Sequence, residues 1–196
     1  MGLETQHFFD PRTSTLTYVV FDRDSKTGVV VDPVLDFEPK SARTSEATVE
    51  PVYRFVDEQG LSIPYVLDTH VHADHMSAIA RVKQRYGARS VIGSKITVVQ
   101  RTFAQLYNLG PDFVPDGSQF DTLLGDGEQL DVGPFSITAR HSPGHTPACS
   151  VWQVDGKVFV GDVLFMPDFG TARCDFPGGS ASDLYDSVQR LYELPG

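Results

Sequence analysis

Residues 67–77 read LDTHVHADHMS, and they hold three of the chain's six histidines together with Asp68 and Asp74. The segment follows the apolar run IPYV, so these polar side chains sit at the end of a buried strand rather than on a solvated helix. Imidazoles and carboxylates are costly to desolvate unless something pairs with them, and a metal ion would pair with all of them at once. Any fold for this chain must bring that segment to a place where its charge is compensated.

Two further clusters point the same way. RHSPGHTPAC places His141 and His145 around a Pro-Gly turn after the strand-like FSITA, and VFVGDVLF sets Asp162 between two apolar stretches. A buried carboxylate there needs a partner, and a cation is a good one. Five of the six histidines lie in the first two clusters, and all three clusters fall at predicted strand ends, where α/β folds place ligands. In an extended segment side chains two apart point the same way, so His70 and His72 are expected to face one site, with Asp74 and His75 at the turn into a helix. The bland alternative is a set of loop histidines satisfied by ordinary hydrogen bonds. The HxHxDH spacing, repeated by two more clusters, favours metal.

STLTYVVFD and GVVVDPV read as two strands joined around RDSKTG, and SARTSEATVE reads as a loop. A helix is expected from Pro51 to Gly60, a strand over IPYVLDT, and a second helix from Met76 to near Gly87. SVIGS is a short strand, Val98 to Tyr107 suggest a third helix, and a Pro/Gly/Asp-rich loop runs on through Phe120. Asp-Gly pairs inside GDGEQLDVGPFSITARHS and ACSVWQVDGKVFVGDVLF predict hairpins. Leu184, Val188, Leu191 and Tyr192 predict a last helix ending at Pro195-Gly196, with Ser180 or Ser182 as its N-cap. The expectation is one α/β domain of the α+β type over residues 1–196.

A formal charge of -10 argues against nucleic acid and anionic membrane surfaces as partners. No apolar run approaches the roughly 20 residues of a membrane span. Cys149 and Cys174 make no disulfide framework, and the MGLETQHFFDP start lacks a signal peptide's features, so a cytoplasmic location is expected. Cys149 is expected to pack as a small hydrophobe and His141 to make a loop hydrogen bond.

The segments HVHADH, SPGHTPAC and VGD, in that order, resemble the metallo-β-lactamase superfamily. That resemblance implies a four-layer αββα sandwich, with the superfamily's last motif beyond Gly196. The stretch LFMPDFGTARCDFPGGSASDLYDSVQRLYELPG, with YVVFDRDSKTGVVVDPVL and THVHADH, is similar to the bacterial branch of the persulfide dioxygenases. For that family the implied cofactor is one Fe(II) per chain on His70, His145 and Asp162, with His72, Asp74 and His75 orienting ligands or lining a channel. The implied reaction oxidises glutathione persulfide with O₂ to sulfite and glutathione. Oxygen chemistry of this kind needs a redox metal, which zinc is not. The competing resemblance is to glyoxalase II-type hydrolases of glutathione thioesters, with two zinc ions. One would sit on His70, His72 and His145, the other on Asp74 and His75, and Asp162 would bridge them. Arg173, in GTARCDF, matches an arginine of the dioxygenase pattern. It either anchors the site-side loop or a glutathione carboxylate, or forms a salt bridge to Asp175 or another loop carboxylate. A homodimer is an allowed assembly.

Overall fold

The structure is a computed structural model and describes residues 2–194. The predicted helix end at Pro195-Gly196 lies outside the described residues. In chain order the elements are β1 (Leu3–Asp10), β2 (Thr15–Asp22), β3 (Thr27–Val31), β4 (Val34–Glu38), β5 (Arg43–Ser45), α1 (Glu50–Gln59), β6 (Ser62–Leu67), β7 (Met76–Ser77), α2 (Ile79–Tyr86) and β8 (Arg89–Gly93). They continue with α3 (Ile96–Leu106), β9 (Thr122–Leu124), β10 (Gln129–Asp131), β11 (Ser136–His141), β12 (Ser150–Val154), β13 (Lys157–Phe159), a 3₁₀ turn (Gly161–Val163) and α4 (Ala181–Tyr192).

The chain forms two compact units. The first comprises the chain up to Asp68, His72–Val91 and Asp131–Ser136; the second comprises Thr69–Val71, Ile92–Leu130 and the chain from Ile137 onward. In the first unit the strands lie in the order β1-β2-β3-β6-β8. The first three are antiparallel, and β3, β6 and β8 are parallel. Val19, Val30 and Val66 face Val52, Val56 and Val82 of α1 and α2, a fully buried aliphatic layer. Parallel strands covered in this way read as continuous apolar runs, which is what TGVVV and IPYVL are.

Two expectations need correction. Met76 belongs to the short strand β7, not to α2, because Leu35↔Met76 and Val34↔Ser77 pair antiparallel with β4. Helical spacing from Met76 to Val82 hides that pairing. The loop expected over SARTSEATVE contains β5, which pairs with β4 although every residue of it is exposed.

In the second unit, Ser94 N–H donates to Leu124 O of β9 at 2.8 Å, just after the end of β8. The strands β10-β11-β12-β13 form a separate sheet. The β12–β13 connection is the Asp155-Gly156 turn, both residues at positive φ, as the hairpin signal required. Ile96 and Val99 of α3 pack on Ile92 and Ala148, and Leu184 and Val188 of α4 pack on Cys149, Val151 and Val163. Ser180 caps α4, its hydroxyl accepting from Asp183 N–H at 3.2 Å. Among the described residues no helix is long and apolar enough to cross a membrane.

Candidate metal centre

His70 enters the second unit two residues beyond Asp68, after β6 has ended at Leu67. Its Nδ1 lies 3.0 Å from Thr69 Oγ1, and the side chain is 1% exposed. His145 follows the Pro-Gly turn, and its Nδ1 lies 2.8 Å from the main-chain carbonyl of Arg173. A carbonyl only accepts, so His145 Nδ1 carries a proton, and in the neutral ring that leaves the lone pair on Nε2. Asp162 stands in the 3₁₀ turn after β13. Its Oδ2 lies 3.6 Å from His70 Nε2 and 3.7 Å from His145 Nε2, and the three ligand atoms fall within 4.8 Å of one another.

Those separations fit a shared cation. Ligand atoms held about 2.1 Å from one ion are about 3.0–3.4 Å apart, so a small inward movement closes the set. Both imidazoles are steered from behind, by Thr69 and by the Arg173 carbonyl, which is how metal-binding histidines are normally held. His145 also packs against Phe176, ring centroids 5.9 Å apart.

Two glycines make this packing sterically feasible. Gly161 has φ +50, and a Cβ there would collide with Thr69 Oγ1, the atom that meets His70. Gly144 has φ +149, and a Cβ there would lie 2.6 Å from Leu184 N. Both positions therefore exclude side chains for reasons of contact as well as backbone conformation.

The first unit holds a different set. Val31↔Leu67 is the last parallel pair of β3 and β6, and Asp32 and Asp68, the first residues past the two strand ends, emerge side by side. His72 joins them: its Nε2 lies 3.4 Å from Asp32 Oδ1, with both side chains 5% exposed. Burial pushes the Asp68 carboxyl up to about 7; His72 opposes the rise, Asp32 adds to it, and a hydrogen bond from the Ser77 hydroxyl opposes it. His72 also stacks on His75 at 4.1 Å and groups with Asp74 and His75. Burial and the neighbouring His72 lower the His75 pKa.

His70 and His72 thus belong to different clusters, against the expectation that alternation would turn both to one site. The chain is not an extended strand at these positions. Arg173 has its Nε 3.4 Å from Asp175 Oδ1, both side chains largely exposed, so the ion pair with Asp175 is formed. The carbonyl of Arg173, Thr69 and Asp32 carry no sequence signal that marks them, whereas Asp68 is part of the His-rich segment itself. Cys149 is buried with its Sγ 3.1 Å from Thr146 Oγ1, and His141 Nε2 lies 3.0 Å from Pro147 O.

Two imidazoles and a carboxylate brought together in this way make a set of residues that could hold a metal ion. The profile of the Metallo-beta-lactamase superfamily matches residues 10–196, and the chain belongs to that superfamily and has its fold. It is 47% identical over 203 residues to a probable metallo-hydrolase of Burkholderia pseudomallei, covering 98% of this chain and 69% of that protein. It is 40% identical over 190 residues to glyoxylase B2 of Dictyostelium discoideum, covering 96% of this chain and 65% of the relative. The mitochondrial persulfide dioxygenase ETHE1 of Mus musculus is 31% identical over 194 residues, with 97% of this chain and 64% of the relative covered. Among solved structures, ETHE1 of Myxococcus xanthus superposes with a TM-score of 0.77 at 30% identity, covering 100% of this chain and 72% of that one. The chain therefore spans about two thirds of the length of these relatives.

Proposed function

We propose that this chain carries the metal centre of a persulfide dioxygenase, with one Fe(II) on His70, His145 and Asp162. The observation that carries the reading is that His70, His145 and Asp162, all in the second unit, bring two imidazole nitrogens and one carboxylate oxygen within 4.8 Å of one another. This donor set suits non-haem iron that activates oxygen and leaves positions for O₂ and a substrate sulfur. In the proposed reaction glutathione persulfide, O₂ and water give glutathione and sulfite. The outer sulfur loses four electrons and O₂ accepts them.

The residues of the chain supply alignment and charge. The Arg173 carbonyl keeps the proton of His145 on Nδ1, and Thr69 holds Nδ1 of His70, so both Nε2 atoms point at Asp162. Asp162 contributes the one formal negative charge of the set. Exposed Arg173 is our candidate for anchoring a substrate carboxylate, which it would do by exchanging Asp175 for the ligand. We place the enzyme in the cytoplasm, acting on a small thiol-derived substrate, with a homodimer as the assembly to test.

The alternative is a dinuclear hydrolase of glutathione thioesters. It is favoured by the names of the 47% and 40% identical relatives and by the His72-Asp74-His75 cluster. Elemental analysis of anaerobically purified protein, paired with an oxygen electrode and glutathione persulfide, separates the two. About one iron per chain with substrate-dependent oxygen uptake supports the dioxygenase. Two zinc ions per chain and thioester cleavage without oxygen uptake would replace it with the hydrolase.

A further inference from the structure

His145 stands in a stretch, residues 142–149, that contains no helix or strand. Its own hydrogen bonds, from Ser142 N–H to Cys149 O and from Gly144 N–H to Thr146 O, close the turn but do not orient the imidazole. A later part of the same unit, residues 173–187, reaches back to it. Three consecutive residues of the turn are each held by one hydrogen bond to that segment. Pro143 O accepts from the Ser187 hydroxyl at 2.7 Å, Gly144 O accepts from Ser180 N–H at 2.8 Å, and His145 Nδ1 donates to Arg173 O at 2.8 Å. Ser187 is fully buried, and its hydroxyl also accepts from Arg190 Nη2 at 2.9 Å.

The two halves of the segment make their contacts differently. The later half is α4, whose backbone lies so near the turn that a Cβ on Gly144 would stand 2.4 Å from Leu184 Cα. The earlier half is a loop closed on itself: Gly179 N–H donates to Phe176 O at 2.6 Å, and a Cβ on Gly179 would stand 2.5 Å from Cys174 O. The ring of Phe176 meets both Phe103 of α3, at 5.3 Å between centroids, and His145, at 5.9 Å. The imidazole is thus held at Nδ1 by a carbonyl and packed by an aromatic ring that α3 backs in turn. A hydrogen bond alone leaves a ring free to rock about the donor–acceptor line, and packing removes that freedom.

We propose that residues 173–187 form a clamp that sets the orientation of His145, with Ser187 and Phe176 as its positioning residues, and that the clamp thereby sets metal affinity. Neither side chain offers the metal a ligand: Ser187 is spent on Pro143 and Arg190, and Phe176 has no donor atom. Ser187 fixes the main chain two residues before the imidazole, and Phe176 fixes the ring itself. The clamp does not depend on which reaction the centre performs, because His145 is a ligand in the mononuclear and the dinuclear readings alike.

The test reads the imidazole directly. Nitrogen NMR of the histidine side chains, with the His145 signal assigned from a His145→Gln protein, is recorded without metal and then as Zn(II) is added against a competing chelator. Wild type is expected to show His145 protonated at Nδ1 alone, because the carbonyl selects that tautomer. Phe176→Ala and Ser187→Ala should each give a mixture of the two tautomers and lose about 10- to 100-fold in zinc affinity at His145. Phe176→Leu, which refills the space with an apolar side chain, should recover most of the affinity and guards against a folding defect. Leu130→Ala is the control: it empties part of the core at β10, outside the clamp, and should lower Tm with the His145 signal and zinc affinity unchanged. Folded Phe176→Ala and Ser187→Ala proteins that bind zinc as wild type does overturn the proposal. So does a loss of affinity with the His145 signal unchanged, or an equal loss in Leu130→Ala. None of these readouts involves oxygen uptake, so the clamp and the proposed reaction fail separately.

Discussion

Replacing Gly161 by Ala should weaken the metal centre without touching a ligand. The new Cβ would collide with Thr69 Oγ1 and lie 2.8 Å from Thr69 Cβ, so Thr69 or the Gly161–Val163 turn must move. Either movement damages the centre, because Thr69 Oγ1 meets His70 Nδ1 at 3.0 Å and the turn carries Asp162. Two costs to folding add up. A non-glycine residue at φ +50 costs about 1–2 kcal/mol, and the lost His70 hydrogen bond costs about 0.5–1.5 kcal/mol. For a chain of this size that lowers Tm by roughly 4–10 °C. Loss of a group that orients a ligand typically weakens metal binding about 10- to 100-fold, and that range is expected here.

Metal affinity would be measured by competition with a chelator, and stability by thermal unfolding of the metal-free protein. Thr69→Ala supplies the control. It removes the worst of the collision but leaves the Cβ contact at 2.8 Å, so Gly161→Ala should cost less in a Thr69→Ala background than in wild type. If Gly161→Ala binds metal as wild type does, or if the two changes are additive in metal affinity, the steric route from Gly161 through Thr69 to His70 is wrong.

Other expectations follow from the same geometry. His70→Ala should remove metal and oxygen uptake together, whereas Asp74→Ala and His75→Ala should keep most of the metal with activity losses of about 10- to 100-fold. Equal metal loss in all three, measured per folded chain, would refute the mononuclear assignment. Arg173→Lys should raise KM for glutathione persulfide with metal content intact, since the main-chain carbonyl that holds His145 is unaffected; an unchanged KM with lower stability would leave only the Asp175 ion pair. For Asp36, burial alone would raise the pKa, but the Thr48 N–H and hydroxyl and the Arg12 guanidinium outweigh it and hold the carboxyl below its ordinary value. Its contribution to stability is therefore present above about pH 4 and lost as pH falls through the depressed value. Asp36→Asn should cost about 1–3 kcal/mol at neutral pH in denaturant unfolding, and the gap to wild type should close in acid. A gap that stays constant with pH would show that the Asp36 charge does no stabilising.

What the sequence revealed and what it hid divide along a physical line. Asp155-Gly156, the runs TGVVV and IPYVL, and the α1 and α3 stripes were legible because turn chemistry and hydrophobic period are written within a few residues of where they act. The strand β1 was not. LETQHFFD is mostly half-exposed and has no clean alternation, and what makes it a strand is its eight-residue register against β2, far outside any local window. Met76 failed in the opposite direction: its helical spacing to Ile79 and Val82 is real, but pairing with Leu35 overrides it. At the site, the ligand types and their order could be read because histidine and aspartate announce their chemistry. How they divide could not. Asp32 and Asp68 are 36 positions apart and meet only because β3 and β6 run parallel in the register Val31↔Leu67. The placement of His72 beside Asp32 and Asp68 is therefore a product of the β3–β6 pairing rather than of the HxHxDH motif. The Arg173 carbonyl is the limiting case, because every residue has such a group and no sequence signal distinguishes the one that keeps a proton on His145.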